Sequence, residues 1–571
     1  MILQQKPRLI DVLLLGFFTI LITFQPFYLH DDIIMMESGI HLPVINAVFH
    51  GLVPYRDVFF LRGPLELYVP ALGMLLFGKN AAILPTFYYL GTIATLLLWV
   101  FMAAQIFRTR LILYLAIPVL IARTFPRVSF NYWGGMRYAM SLLPLLLFII
   151  FLKRRRFRWV FFSGVISAAA LLTTIEAGFC ATVSVSFAFV FALVFKIEDR
   201  RFLLKGMAIY GFGVLCLLFP SAIYLIWTNS LVPFFDSTHA VIRNLYIAFP
   251  DAPGNHPESF VEFLSALWPG SRFFKFMTPI YCYLVFLVFF VYVLRFKKIS
   301  QERIIALFSL MVYGSILYIS AFRKIEGHHF EMALQPEKLL LFFMLEEVFL
   351  FFKERISLIK AASAQQGQKS RSWKIVAMYC FIACLILSSV IYSIERYNKR
   401  FVMSKVFGRL LAGKPISDLS PLAGRSKMLA IDRAKGMVVP KEQADEITTV
   451  VDFISRNTKS TDVVFTPPEL GTYNFLFDRP FVGRFAVVTA SWLKEDWWQE
   501  LINDFKEVNP EYAVMTNVDD VSFPSEWYFR NPRNIERYEE LTQLVLGRYD
   551  VVKSLPSVSI YRLKHSYRLA E

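Results

Sequence analysis

Cysteine is scarce in this chain, and the little there is lies where no disulfide framework would put it. The five cysteines are Cys180, Cys216, Cys282, Cys380 and Cys384, all within apolar runs rather than loops. Neither a disulfide-stapled scaffold nor a Cys/His metal-ligand spacing is therefore indicated. Cys380 and Cys384 stand one helical turn apart, a spacing that serves packing. The glycine-rich phosphate loops of Walker and Rossmann type are missing as well, so ATP as an energy source is not suggested. There is no internal repeat, and the one low-complexity stretch is the Ala/Ser/Gln/Lys-rich segment at about 361–372. Charge is rare inside the long apolar runs, and those runs are continuous rather than alternating, which excludes a transmembrane β-barrel.

What remains is an abundance of apolar and aromatic side chains. Hydrophobic residues make up 56% and aromatics 16%, with a mean hydropathy of +0.50. Runs of about 18–25 apolar residues are what a bilayer demands of a helix. Candidate spans fall at about 9–29, 83–107, 111–126, 138–152, 159–175, 177–195, 203–228, 276–295, 303–321, 338–352 and 374–394, some of them shorter than that length. The sequence thus predicts an α-helical polytopic membrane protein of about eleven spans. The first run follows Lys6-Pro7-Arg8 without a small-residue cleavage site, so it reads as a retained helix.

The formal net charge of +16 invites a nucleic-acid reading, but its placement argues for topology instead. Lys and Arg cluster in short loops: Arg108 with Arg110, Lys153-Arg154-Arg155-Arg156 with Arg158, and the stretches 196–205, 295–303 and 353–374. By the positive-inside rule these loops share the inner face. They do so only if the short segment 64–78, which carries Glu66, lies along the outer interface instead of crossing. The N-terminus is then cytoplasmic. Outer loops cover about 30–82, 127–137, 229–275 and 322–337, and a transmembrane part over 1–394 precedes an extracytoplasmic tail over 395–571.

The tail reads as a soluble α/β domain. Helical periodicity runs over 444–456 and 492–508. Strand-like runs lie at 462–465 and 511–515, near Val551, and at 557–563, with Pro467-Pro468 breaking the chain.

The polar groups that folding does not require sit in the outer loops. His30-Asp31-Asp32 and Glu37 follow the first span, where a helix end needs only a cap or an aromatic anchor. Transfer of a sugar from a lipid phosphate needs a base beside the attacking group and a cation or metal near the phosphate. Asp31, Asp32 and Glu37 could supply the base, a metal ligand or both. No cofactor is assigned, and a divalent metal stays open. Arg56 and Asp57 in the next turn are candidate substrate contacts. Arg137 and Tyr138 start a span from the outside and read either as substrate contacts or as an aromatic belt with a snorkelling arginine. The loop Arg323-Lys324-Ile325-Glu326-Gly327-His328-His329 places two cations and two histidines on the outer face, against the positive-inside bias. Arg323, Lys324, His328 and His329 suit phosphate recognition. Glu176 reads as a polar group of a tight turn, and the loop 229–275 as a structured or mobile lid.

These motifs carry a family resemblance. The chain runs from an acidic pair through Glu37-Ser38-Gly39 to Gly51-Leu52-Val53-Pro54-Tyr55-Arg56-Asp57, then to Gly63-Pro64-Leu65-Glu66-Leu67-Tyr68 and Leu76-Phe77-Gly78. In this it resembles the GT-C membrane glycosyltransferases, among them protein O-mannosyltransferases, the aminoarabinose transferase of lipid A and lipopolysaccharide-core sugar transferases. The resemblance implies an inverting transfer on the outer face, from a polyprenyl-phosphate sugar to a lipid, glycan or protein acceptor. A first-loop carboxylate would act as base. In one register the base is Asp31 or Asp32, in the other Glu37. The second-loop acid found in many relatives has no clear counterpart near Asn131–Arg137. Two other readings stand beside this one: a transporter or flippase of a lipid-linked sugar, and a non-catalytic membrane scaffold.

Overall fold

The computed structural model describes residues 6–23, 35–124, 135–248, 259–268, 271, 274–296, 299–322, 333, 335–351, 353, 411–413, 426–486, 493–517 and 532–568. The span expected at 374–394 and the boundary at 394/395 lie outside them. The helices run α1 Leu9–Thr23, α2 Met35–Phe49, α3 Pro64–Phe77, α4 Ile83–Ile106, α5 Arg110–Thr124, α6 Gly135–Arg154, α7 Phe157–Thr173, α8 Ile175–Val194 and α9 Arg200–Trp227. Then come α10 Leu231–Ala248, α11 Phe260–Ala266, α12 Phe274–Phe296 and α13 Gln301–Phe322. A further helix, α14, covers 335–351. Five helices, within α4, α6, α8, α9 and α13, are long and apolar enough to cross a membrane, and shorter apolar helices accompany them. Outward-facing Phe179, Phe187, Val190, Phe212, Leu215, Phe219 and Val288 are exposed, as lipid-facing side chains of an integral membrane protein are.

Inside the bundle, large apolar side chains interdigitate. Phe191 stacks on Phe308 with ring centroids 3.9 Å apart, and Phe148 meets Phe189 edge-on at 5.0 Å. Short polar bonds tie helices together where no water competes. Ser163 Oγ donates to the Pro144 carbonyl, Tyr210 OH donates to Ser167 Oγ, and Ser141 Oγ shares a hydrogen with Tyr313 OH.

The two ends of the bundle differ in chemistry. At one end Asp11 accepts from Arg110 and Tyr114. There Glu346, fully buried, accepts from the backbone N–H of Arg108 and Thr109 and pairs with Arg303 at 2.8 Å. Arg155 pairs with Glu198 at the same end. These are the short basic loops, gathered together. The opposite end carries α3 and the tail.

The tail is an α/β unit, as its sequence suggests. Strands β1 Ser426–Met428 and β2 Val438–Pro440 form an antiparallel pair. A second sheet has the order β3-β4-β6-β5, from Val464–Phe465, Tyr512–Thr516, Val558–Leu563 and Tyr549–Ser554. Only β3 and β4 are parallel. The helix Lys441–Asn457 buries Ala444, Ile447, Val450, Val451 and Ile454 on one stripe, the 3.6-residue period expected of a surface helix.

One apolar core joins this tail to the first loop: Ile40, Val44 and Ile45 of α2 share it with Ile431, Ile447, Phe475 and Val514. Polar bonds reinforce the seam. Asn46 Nδ2 donates to Asp478, while Arg433 donates to Asn46 Oδ1 and the Phe475 carbonyl and pairs with Asp478 at 2.7 Å. Phe59 N donates to the Arg484 carbonyl at 2.7 Å. Gly39 and Gly471 make the approach possible, since a Cβ on Gly39 would lie 3.1 Å from the Thr472 nitrogen and one on Gly471 3.0 Å from the Gly39 oxygen.

Two stretches expected as loops are helical. Residues 35–49 form α2 despite Pro43. Positions 38–47 are all buried, because the tail covers one side and the bundle the other. Burial all round erases the amphipathic period by which a helix is read. Within 229–275, residues 231–248 form α10, with Phe234 buried against Tyr55 at a ring distance of 5.0 Å.

Candidate functional site

The first loop leaves α2 through a tight turn. Tyr55 takes a positive φ of 69°, held by its own N–H to the Val58 carbonyl and by Val53 N to the Asp57 carboxylate. Its ring is buried and its OH donates to the Arg62 carbonyl at 2.6 Å. The turn thereby fixes the backbone that carries Arg62. Arg56 and Asp57 pair with each other at 2.7 Å, and Arg56 also reaches the Thr228 carbonyl at the end of α9. That pairing holds the Asp57 carboxyl below its ordinary value. The two residues thus brace the turn at the surface.

Next to the turn, Gly63 donates its N–H to the Thr173 carbonyl at the end of α7, 2.9 Å away. Pro64 then opens α3, with Glu66 in the first turn, where the helix dipole favours a carboxylate. Four residues apart across this start, Arg62 Nη1 meets Glu66 Oε1 at 2.5 Å. His41 of α2, wholly buried, places Nε2 3.7 Å from the same oxygen, with Tyr88 OH 3.0 Å from that nitrogen. Arg137 at the start of α6 acts on Glu66 through its charge. Burial pushes the Glu66 carboxyl up; Arg62, His41 and Arg137 more than offset it and hold it at about 2. Glu66 is ionised at every ordinary pH, although it is only 8% exposed. A buried carboxylate persists only with such partners.

The cluster extends around Arg137. Its guanidinium sits 4.9 Å over the Tyr138 ring, and the charges of Arg62 and Glu176 act on Tyr138. Glu176 belongs to the first turn of α8 and accepts from Ser320 Oγ near the end of α13. The structure therefore brings α2, α3, α4, α6, α8 and α13 together at the tail-bearing end.

Of the residues expected at a site, Arg137 and Tyr138 lie in this cluster, whereas Arg56 and Asp57 stand apart at the α9 end. Glu37 falls in the first turn of α2, two residues before the Gly39–Gly471 contact. Asp31, Asp32, Arg323, Lys324, His328 and His329 lie outside the described residues. His41, Arg62 and Glu66 are the members that sequence reasoning missed as a group. The i,i+4 spacing of Arg62 and Glu66 was the available signal. Among the described residues, no group of three or more His, Cys, Asp or Glu is placed to hold a metal ion.

No family model matches the sequence, and no curated protein matches it. Solved structures do. ArnT from Cupriavidus metallidurans bound to undecaprenyl phosphate superposes with a TM-score of 0.52 at 13% identity, over 97% of this chain and 98% of that one. Its apo state gives 0.51 at 12% identity, with the same coverage. The chain shares the fold of ArnT. The Archaeoglobus fulgidus oligosaccharyltransferase in its apo form is more distant, with a TM-score of 0.47 at 12% identity over 89% of this chain and 69% of that one. The near-complete overlap with ArnT takes in the helical bundle and the small tail sheet alike.

Proposed function

We propose that this GT-C chain is a membrane glycosyltransferase. It would move a sugar from a polyprenyl-phosphate donor to a lipid, glycan or protein acceptor on the outer face of the membrane. The observation that carries the reading is the buried Arg62–Glu66–His41 cluster beside Arg137. It sits at one end of a fold whose ArnT example is bound to undecaprenyl phosphate. In this reading residues 1–394 form the membrane part with a cytoplasmic N-terminus, and 395–571 lie outside with the first loop.

The chemistry follows from charge. An acceptor oxygen or nitrogen attacks the anomeric carbon opposite the phosphate, and the configuration inverts. A first-loop carboxylate, Asp31, Asp32 or Glu37, takes the acceptor's proton. As the sugar–oxygen bond breaks, negative charge grows on the phosphate, and Arg62 with Arg137 offsets it. Glu66 keeps Arg62 in one orientation, so that no reorganisation is needed at the moment of reaction.

The test is direct. Purified protein in nanodiscs is given labelled undecaprenyl-phosphate sugars and a membrane-lipid extract as acceptor. A glycosylated product supports the enzyme; transport or scaffolding yields none. Asp31→Asn, Asp32→Asn and Glu37→Gln are expected to include at least one variant that is folded, membrane-inserted and inactive. Full activity in all three removes the first-loop base. A glycolipid profile of cells lacking the protein then names the missing sugar and the acceptor class.

A further inference from the structure

Glu66 has two oxygens, and the fold uses one. Oε1 takes Arg62 and faces His41. Oε2 is fully covered and, among the described residues, accepts no hydrogen bond. Native structures leave few buried polar atoms without a partner, and an ionised carboxylate oxygen is among the most costly to leave so. Its acceptor-only chemistry calls for an O–H or N–H donor. The position of this oxygen narrows the choice: it belongs to the residue that orients Arg62, and Arg62 is the cation assigned above to the donor phosphate.

A glycosyl phosphate carries its 2-hydroxyl on the carbon next to the one that bears the phosphate. A forked pair of charges can therefore meet both groups of one ligand, the guanidinium taking the phosphate and the carboxylate the hydroxyl. We propose that Glu66 is a specificity-determining residue of the donor site, its Oε2 accepting a hydrogen bond from the 2-hydroxyl of the donor sugar while Arg62, oriented through Oε1, bonds the phosphate. The inference rests on the donor reading above and adds what in the sugar is read. A site built to bond a hydroxyl discriminates strongly against the ligand that lacks it, because the buried acceptor is then left unpaired.

The experiment measures binding to the full-length protein in nanodiscs. Its probes are undecaprenyl phosphate, its glucosyl and mannosyl forms, and the 2-deoxy counterpart of each. Wild type is expected to bind one sugar-bearing lipid at least about tenfold more tightly than its 2-deoxy form. Glu66→Gln is expected to remove that difference, whatever it costs in affinity for bare undecaprenyl phosphate through the weakened hold on Arg62, and Arg62→Ala weakens every probe. The proposal is overturned if wild type does not distinguish the 2-deoxy lipids, or if Glu66→Gln keeps the distinction. Equal weakening of a sugar-bearing lipid and its 2-deoxy form by Glu66→Gln is the mark of a purely structural ion pair. The wild-type comparison needs no variant, so a poorly folded Glu66→Gln does not rescue the idea. Failure of wild type to bind any undecaprenyl-phosphate lipid is the separate outcome that defeats the donor reading itself.

Discussion

Gly63→Ala is the sharpest perturbation the site offers. A Cβ built on Gly63 would lie 2.1 Å from the Leu172 carbonyl oxygen, 2.4 Å from its carbon and 2.8 Å from the Thr173 oxygen. Carbon and oxygen need roughly 3.4 Å, so the segment must move by about 1 Å. The obstacle is helix backbone, which cannot swing aside as a side chain would. Overpacking of this kind costs about 1–3 kcal/mol. Stretching the Gly63–Thr173 hydrogen bond adds about 1 kcal/mol. The movement is passed directly to Arg62, the preceding residue, and a 1 Å misplacement in a catalytic array can cost about 10²-fold in rate. The assay is sugar transfer in nanodiscs beside thermal unfolding of the same preparation. Gly211→Ala serves as control: nothing lies within 4 Å of its Cβ, and stability is expected to hold or rise slightly. A Gly63→Ala protein with wild-type rate and wild-type unfolding would refute the claim that this backbone contact positions Arg62.

Three further expectations follow from the same geometry. The Glu66 carboxyl is held down from 4.5 to about 2, so its contribution, about 3 kcal/mol by linkage, is complete above pH 4.5 and lost as pH falls toward 2. Denaturant unfolding at pH 5 and pH 3 should show a loss in wild type that Glu66→Gln lacks, and equal losses would contradict it. Arg62→Ala should lower transfer by about 10²–10³-fold in a protein that still inserts, read by turnover against a folding control; wild-type turnover would remove Arg62 from the site. Arg433→Ala removes bonds to Asn46, Phe475 and Asp478 and should cost about 1–2 kcal/mol, chiefly through the lost hydrogen bonds to Asn46 and the Phe475 carbonyl, since the part-exposed Asp478 keeps Asn46 and His50. Limited proteolysis should then cut the tail from the bundle earlier than in wild type, and an unchanged cleavage pattern would speak against the seam.

Much of this fold was legible from the chain because the spans are apolar on every face and long enough for no other use. The run expected at 83–107 is α4, Ile83–Ile106, and 203–228 is α9, Arg200–Trp227. In the tail, the stripe from Ala444 to Ile454 gave its helix away by period alone. Helices whose burial comes from elsewhere were not legible. α2 is enclosed by residues from the far end of the chain, and residues 231–248 carry Asp236, His239 and Arg243 among their aromatics. The site divides the same way. The surplus acids drew attention to the first loop, whereas the described cluster there consists of Arg62, Glu66 and His41. The pairing of His41 with Tyr88, 47 positions on, and the burial of Glu66 beside His41 depend on how the chain packs, which no local pattern records.

The seam between α2 and the tail also bears on when the molecule becomes competent. Asn46 and Asp478 are 432 positions apart, so a segment made among the first is walled in by one made near the last. A nascent chain halted before residue 426 would own its membrane helices, yet leave Ile40, Val44 and Ile45 without their lid. The helix that carries His41 would then lack its cover on the tail side. Synthesis order thus acts as a timer: the cover over α2 closes only after the tail residues that share its core have been made.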